Sequence, residues 1–159
     1  MSVSPITVII EEPLWRGEGR GFVTDLRRAV RSTFEHAQNG GPRRATVLLA
    51  SDARLETLNR GYRGKTQPTN VLSFASADSA YLGDIAIAYG VTAREARDSA
   101  KSIHDHALHL AVHGTLHLLG YDHETAREAR VMEPLETAIL ARLGIADPYA
   151  ARPQAATPN

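Results

Sequence analysis

The stretch from residue 104 to residue 119 constrains this chain most, because it combines a strongly helical apolar pattern with closely spaced histidines. Six of the seven histidines lie between positions 104 and 123. His113 and His117 are four residues apart, which on a helix places them about 40° apart around the axis and about 6 Å along it. Both imidazoles can then reach one metal ion. For this pair alone, a packed and hydrogen-bonded pair of histidines stays open as the alternative.

The residues that follow His117 extend the pattern. Gly120 stands where a residue with positive φ can end the helix, and two further residues lead to His123. A chain that reverses at this glycine can return a third imidazole to the same ion. Three neutral nitrogens with a fourth position left to water are the ligands of a catalytic zinc site, whereas a structural site is usually closed by four protein ligands. The chain has no cysteine, so any metal must be held by His, Asp or Glu.

The net charge of the chain limits the kinds of partner that its whole surface can attract. Eighteen basic and eighteen acidic side chains give a net charge of zero. An attraction of the whole surface to nucleic acid or anionic lipid is therefore not expected, and a nucleic-acid partner would need a local basic patch. No apolar run is long enough to cross a membrane, and the first twelve residues contain no basic side chain, unlike a targeting peptide. We expect a cytoplasmic protein with no membrane association and no dinucleotide cofactor.

The patterns along the chain predict an α+β fold with a single domain over residues 1–149. Apolar and β-branched runs predict strands at residues 6–10, 45–50, 71–74 and 82–88, the last two as a hairpin. Helical patterns predict helices at about residues 25–38, 52–62, 92–102, 104–119 and 124–143. Thr24 and Thr92 are the expected N-caps, and Pro134 is expected to break the last helix. We expect a small mixed sheet of about four strands with packed helices, and a disordered tail over residues 150–159.

The histidine spacing His-x3-His-x5-His, with glycine at the eighth place, is also that of the metzincin proteases. Those enzymes carry a glutamate general base directly after the first histidine, where this chain has Gly114. Without that carboxylate, peptide hydrolysis loses the group that accepts the proton of the metal-bound water. The sequence therefore argues against a protease. A metzincin-like metal hydrolase that lacks the glutamate base is kept as an alternative.

Taken together, residues 113–123 resemble the signature of the YbeY family of metal-dependent endoribonucleases. Other blocks similar to that family follow the same order, at residues 58–60, 62–65, 68–74 and 83–85, and then at residues 132, 135–136, 139–140 and 143–144. The resemblance covers roughly residues 45–148. Two positions depart from the family. Thr66 stands where an acidic residue is usual, and Pro134 lies in a helix that is usually continuous.

The resemblance implies a metal-dependent endoribonuclease that cuts single strands in ribosomal RNA maturation, including processing of the 16S 3′ end, and that takes part in ribosome quality control. Its implied partners are ribosomal RNA, the ribosome and other ribosome-biogenesis proteins. Whether metal-bound water or the RNA 2′-hydroxyl is the nucleophile stays open. A ribosome-associated assembly factor with a mainly structural metal is the alternative from a different class.

Four residues are predicted to carry the chemistry. The three histidines at positions 113, 117 and 123 are expected to hold one zinc ion or another divalent transition metal, and to be catalytic through it. Arg63 matches the functional arginine of the family, and its planar guanidinium suits a phosphate oxygen on which charge grows. Arg60 and Lys65 extend this loop into a local basic patch.

Several neighbouring residues receive supporting roles. His109 is expected to support the metal ligands or to pack in the core. Asp122 is expected to orient a ligand, to accept a proton, or to bond only within its own turn. For Glu136, a role matching the family and simple exposure to solvent both stay open. The remaining expectations are that Asp84 fixes local structure near the site, that Ser73 and Asn70 line the cleft, that His104 and His106 are exposed, and that His36 lies on the surface or fills the core.

Overall fold

The strands of this protein form one mixed sheet with helices on both faces. The structure is a computed structural model that describes residues 5–37, 44–63, 69–78 and 80–150, without the side chains of residues 62 and 63. Most of the predicted tail, residues 151–159, lies outside this range. The elements are β1 (Ile6–Ile10), a 3-10 helix (Pro13–Glu18), α1 (Phe22–Ala37), β2 (Arg44–Ala50), α2 (Asp52–Arg63), β3 (Val71–Ala75), β4 (Tyr81–Ala88), α3 (Tyr89–Asp98), α4 (Ile103–Leu118) and α5 (Ala126–Arg142).

The strand order across the sheet is β1-β2-β4-β3. The first three of these strands are parallel, and Val47 of β2 lies beside Val8 on one side and Ile85 on the other. β3 pairs antiparallel with β4, with Ser73 opposite Ile85. The predicted hairpin and the mixed sheet of four strands are therefore confirmed. This order leaves β3 at one edge of the sheet, where it packs against α4, the helix that carries the paired histidines.

Alternating strand residues supply two apolar layers, one on each face of the sheet. On one face, Val47, Leu49 and Ile85 belong to a core shared with α1, α4 and α5. On the other face, Ala86 packs with Leu55 of α2. Because α4 is covered by α1, α3, α5 and the sheet, most of its side chains are buried. Within the described residues, no helix has the length and apolar character needed to cross a membrane.

The expected N-caps Thr24 and Thr92 were wrong, because both helices begin about one turn earlier. α1 starts at Phe22, whose ring stacks on Trp15 with the ring centroids 5.6 Å apart. α3 starts directly after β4, and the backbone N–H of Val91 in its first turn donates to Asp52 Oδ1 at 3.0 Å. A side chain 39 positions earlier in the sequence therefore accepts a hydrogen bond from a backbone N–H that has no partner within the helix.

The expected break at Pro134 was also wrong, because α5 is continuous through it. A proline inside a helix cannot donate to the carbonyl four residues earlier, here that of Arg130. Arg130 and Pro134 are both exposed, so water can donate a hydrogen bond to the Arg130 carbonyl. The opposite side of the helix is held by buried side chains, and its start is fixed by a capping box between Thr125 and Glu128. Packing on one face thus outweighs one lost hydrogen bond on the other.

Candidate metal centre

Three imidazoles converge at the C-terminal end of α4. His113 and His117 lie one turn apart on the helix, and His123 reaches them from the turn that follows. The Nε2 atom of His113 lies 3.1 Å from His123 Nε2 and 3.2 Å from His117 Nε2. One nitrogen of each ring lies within 4.8 Å of the other two. We call these three residues the histidine cluster.

The turn after α4 brings the third histidine to the other two. Gly120 has a φ of 102°, in the region that favours glycine. The N–H of Tyr121 donates back to the carbonyl of Leu116 at 3.0 Å, which is the six-residue bond of a Schellman motif. The N–H of His123 then donates to Asp122 Oδ1 at 2.8 Å. Asp122 therefore bonds within its own turn, and through that bond it orders the backbone of a residue of the histidine cluster.

The histidine cluster suits a divalent transition metal. Three nitrogens held at tetrahedral angles about 2.0–2.1 Å from one ion would be about 3.3 Å apart, close to the two separations just given. Burial is the largest cause that lowers the pKa of His117, and the neighbouring His113 and His123 lower it further. The neutral imidazole, which is the form that binds metal, is thereby favoured at this position.

A buried carboxylate lies directly behind the histidine cluster. Glu136 of α5 is fully buried and contacts His113 Nδ1 through Oε2 and the Tyr149 hydroxyl through Oε1. His109 Nε2 lies 3.5 Å from Oε1. Burial alone would raise the pKa of Glu136, but His109, His113 and Tyr149 outweigh it and lower the pKa from 4.5 to about 2. The alternative that Glu136 faces solvent was wrong.

The ionised state of Glu136 determines how His113 is protonated. A carboxylate can only accept hydrogen bonds, so Nδ1 of His113 carries the ring proton and donates it. The Nε2 lone pair of the same ring is then directed at the other two imidazoles. His109 contacts this carboxylate and does not belong to the group of possible metal ligands.

An open cleft of about 550 Å³ lies over the histidine cluster. One wall is the edge of the sheet, formed by β3 and the residues just before it, and the other is the end of α4 with the following turn. Ser73 and Asn70 line this cleft, as expected. The hydroxyl of Ser73 donates to the carbonyl of Gly114 at 2.9 Å, and the amide of Asn70 donates to Glu95 Oε1 at 2.9 Å.

Gly114 is the point of closest approach between α4 and the sheet. A Cβ atom at this position would lie 2.8 Å from Ile85 Cγ2 and 3.0 Å from Ser73 Oγ. The position that holds the general base in metzincins therefore has no room for a side chain here.

Some residues lie elsewhere than expected. Asp84 lies on the opposite face of the sheet, where it accepts a hydrogen bond from Tyr81, so a role near the histidine cluster was wrong. His106 is buried and bonds to Glu95 Oε1 at 2.8 Å, against the expectation of exposure. His104 is partly buried between Asp25 and Asp105, with a nitrogen 2.8 Å from each carboxylate. His36 is partly buried in α1.

The predicted basic patch lies only partly within the described residues. α2 extends to Arg63, but the side chain of Arg63 is outside the described part of the chain, as is Lys65 with Thr66. Arg60 is exposed on α2. The relation of Arg63 to the histidine cluster therefore stays a prediction.

Fold and site together define a class: an α+β protein with a candidate three-histidine metal centre on a helix and the turn that follows it. The family model described as "Endoribonuclease YbeY" matches residues 20–144. A protein of that name from Rhodopseudomonas palustris is 50% identical over 94% of this chain and 83% of its own. Another, from Nitrobacter winogradskyi, is 44% identical over 94% of this chain and 84% of its own. The chain belongs to the YbeY endoribonuclease family.

A solved structure shows the same fold. The solution structure of TM1509 from Thermotoga maritima is similar to this protein with a TM-score of 0.62, covering 87% of this chain and 88% of the other. The two sequences are 23% identical. At that identity the likeness concerns the arrangement of the helices and strands.

Proposed function

We propose that this protein is a metal-dependent endoribonuclease that cuts single-stranded regions of ribosomal RNA. The observation that carries the proposal is the histidine cluster, which has three converging nitrogens at the floor of an open cleft in a chain of the YbeY family. A catalytic metal site keeps a position free for water or substrate, and three protein ligands leave that position free.

In this proposal, His113, His117 and His123 hold one zinc ion or another divalent transition metal. When bound, such an ion stabilises negative charge on a phosphate oxygen and lowers the pKa of water. The histidines hold the ion through neutral nitrogens, and Glu136 keeps the proton of His113 on the far nitrogen. Ser73 and Asn70 are among the polar residues of the wall along which an RNA strand would lie.

Arg63 is proposed to neutralise charge on the phosphate during cleavage. The support is its match to the functional arginine of the family and its place at the end of α2, next to the chain segment that leads into β3 and the cleft. A guanidinium is permanently charged and can donate two parallel hydrogen bonds to phosphate oxygens.

Peptide hydrolysis at the histidine cluster is less favoured than RNA cleavage. The metzincin base is replaced by Gly114, and a Cβ there would already be 2.8 Å from Ile85 Cγ2. Asp122 and Glu124 are the described carboxylates that line the cleft, but they lie in the turn after α4 and not at the helical position of the metzincin base; Asp122 also accepts a hydrogen bond from the N–H of His123 within that turn. We therefore favour phosphodiester cleavage, in which the metal and a cation stabilise the charge directly.

The test is a paired assay of the wild type and His117→Ala on single-stranded RNA, duplex RNA and casein. The proposal expects cleavage of the single strand by the wild type only, and no cleavage of casein by either protein. Purifying both proteins in parallel controls for contaminating ribonuclease. Equal RNA cleavage by the two proteins would contradict the proposal. Ribosome binding without RNA cleavage by metal-loaded wild type would instead favour the assembly factor.

The products of the same assay identify the nucleophile. A 3′-hydroxyl with a 5′-phosphate indicates attack by water, whereas a 2′,3′-cyclic phosphate indicates attack by the ribose hydroxyl. A cytoplasmic location, association with the ribosome and action at the 16S 3′ end belong to the same proposal. Co-sedimentation of the intact protein with ribosomal subunits, and sequencing of the 16S ends in cells that lack it, would test them.

A further inference from the structure

Glu136 is the only fully buried carboxylate among the described residues. A buried charge is unfavourable unless every oxygen is paired. Here the two oxygens have separate partners, since Oε2 contacts His113 Nδ1 while Oε1 contacts the Tyr149 hydroxyl and lies 3.5 Å from His109 Nε2. The carboxylate is therefore fixed in one orientation, with one oxygen reserved for His113.

Tyr149 belongs to the last described residues of the chain, and these are held against α5. The backbone N–H of Tyr149 donates to Asp147 Oδ1 at 2.8 Å, and the hydroxyl of Thr137 donates to the same oxygen at 3.1 Å. The ring of Tyr149 meets that of His109 edge to face, with the centroids 5.8 Å apart. These contacts bring a side chain from beyond α5 to the back of the histidine cluster.

We propose that Glu136 and Tyr149 are positioning residues, in which Glu136 holds the ring and the tautomer of His113 for metal binding and Tyr149 holds Glu136. The inference rests on the metal centre proposed above. Residues that orient the far nitrogen of a metal-binding histidine contribute strongly to metal affinity, because they remove the alternative tautomer and ring rotations. Residues 147–149 thereby become part of the metal centre although none of them faces the cleft.

The contributions of Glu136 and Tyr149 to the position of His113 can be tested separately. Without the Tyr149 hydroxyl, Oε1 keeps only the longer contact to His109, and the carboxylate is free to rotate towards that ring and away from His113. In Glu136→Gln the side chain keeps its size and an acceptor for His113 Nδ1 but loses its charge. The two variants thus test orientation and charge one at a time.

The experiment measures the zinc affinity of the full chain by competition with a chromophoric chelator. Glu136→Gln is expected to weaken zinc binding about 10-fold to 100-fold, and Tyr149→Phe by about 3-fold to 10-fold, as expected for a residue one step further away. The matched controls are Glu133→Gln, one turn earlier on α5, and Tyr89→Phe, which packs against Trp15 away from the site. Both controls are expected to bind zinc within about twofold of the wild type.

Thermal unfolding of the metal-free proteins separates positioning from a purely structural role. Lower stability with unchanged zinc affinity in both variants would overturn the inference, as would unchanged affinity and stability. If Glu136→Gln does not fold, Tyr149→Phe decides alone. A wild type that binds no zinc would overturn the metal centre and this inference together, whereas equal binding by wild type and variants would overturn only the inference.

Discussion

Gly114 of α4 lies directly against Ile85 of β4, so closely that a Cβ on Gly114 would be 2.8 Å from Ile85 Cγ2. Real Cβ atoms essentially never come closer than 3.0 Å to another heavy atom. Ile85 is fully buried and cannot move without disturbing the core. The absence of a side chain at position 114 is thus required by packing, in addition to removing the metzincin base.

Gly114→Ala is therefore predicted to lower the free energy of unfolding by about 1–3 kcal/mol, as in other overpacked cores. Helix propensity alone would favour alanine by about 1 kcal/mol. Gly61→Ala on α2 is the matched control, because a Cβ there meets nothing within 4 Å. That variant is expected to gain about 0.4–1 kcal/mol. Urea unfolding measures both, and a gain in both variants would contradict the packing argument.

Gly120→Ala tests the turn that brings His123 to the other two histidines. Its φ of 102° is unfavourable for any residue with a Cβ, although space around the position is open. We expect a loss of about 1–2 kcal/mol in stability, together with weaker zinc binding, because the backbone that leads to His123 must shift. Gly17→Ala, also in open space but without a positive φ, is expected to change neither quantity. Competition with a chelator measures the zinc affinity of the two purified variants. An unchanged zinc affinity in Gly120→Ala would contradict the role of the turn.

His104 is predicted to make the contact between α1 and α4 depend on pH. Burial alone would lower its pKa, but hydrogen bonds to Asp25 and Asp105 outweigh burial and raise the pKa above its ordinary 6.5. A raised pKa in the folded state means that the protonated form stabilises the fold. This contribution is complete below the unfolded pKa and is lost as the pH rises through the folded pKa.

The comparison of wild type with His104→Gln isolates this contribution. Because the side chain is a third exposed, the stability difference is expected to stay below about 1 kcal/mol near pH 5.5 and to decrease towards pH 9. Arg28 lies 3.7 Å from Asp25 and is present in both proteins, so its positive charge is common to the two sides of the comparison. Thermal unfolding at the two pH values measures the difference, and a difference that grows with pH would contradict the assignment.

Arg63→Lys tests the proposed contact with phosphate. Lysine keeps the positive charge but loses the planar pair of donors, so we expect cleavage of single-stranded RNA to slow by about tenfold or more. Zinc content should be unchanged, because Arg63 is not a ligand in the proposal. Arg31→Lys, at an exposed arginine of α1 outside the basic patch, is the control and is expected to stay within about twofold. Equal activity of both variants would remove Arg63 from the proposed site.

The features that the sequence predicted correctly are those governed by neighbouring residues. The histidine spacing on α4 follows from its helical pattern, and the turn at Gly120 follows from a bond that spans only six residues. The start of α3 could not be predicted in this way, because its partner Asp52 is 39 positions away. The continuity of α5 through Pro134 likewise depends on packing that the local sequence does not contain.

The burial of Glu136 could have been predicted from the sequence. Met132, Glu136 and Ile139 follow one another at the spacing of a buried helix face, and all three are buried in the structure. An acidic residue on such a face needs partners, which points to nearby histidines. The part played by Tyr149 had no comparable signal, because its contact with Glu136 depends on how the segment after α5 folds back.

The most direct test of the whole account is the metal content of the protein together with its recovery after chelation. Mass spectrometry of native wild type should give about one divalent ion per chain, and chelation should abolish cleavage of single-stranded RNA until zinc is returned. His123→Ala should carry much less metal and should not recover activity when zinc is added. Full metal content and full cleavage in His123→Ala would contradict the assignment of the histidine cluster as the catalytic metal centre.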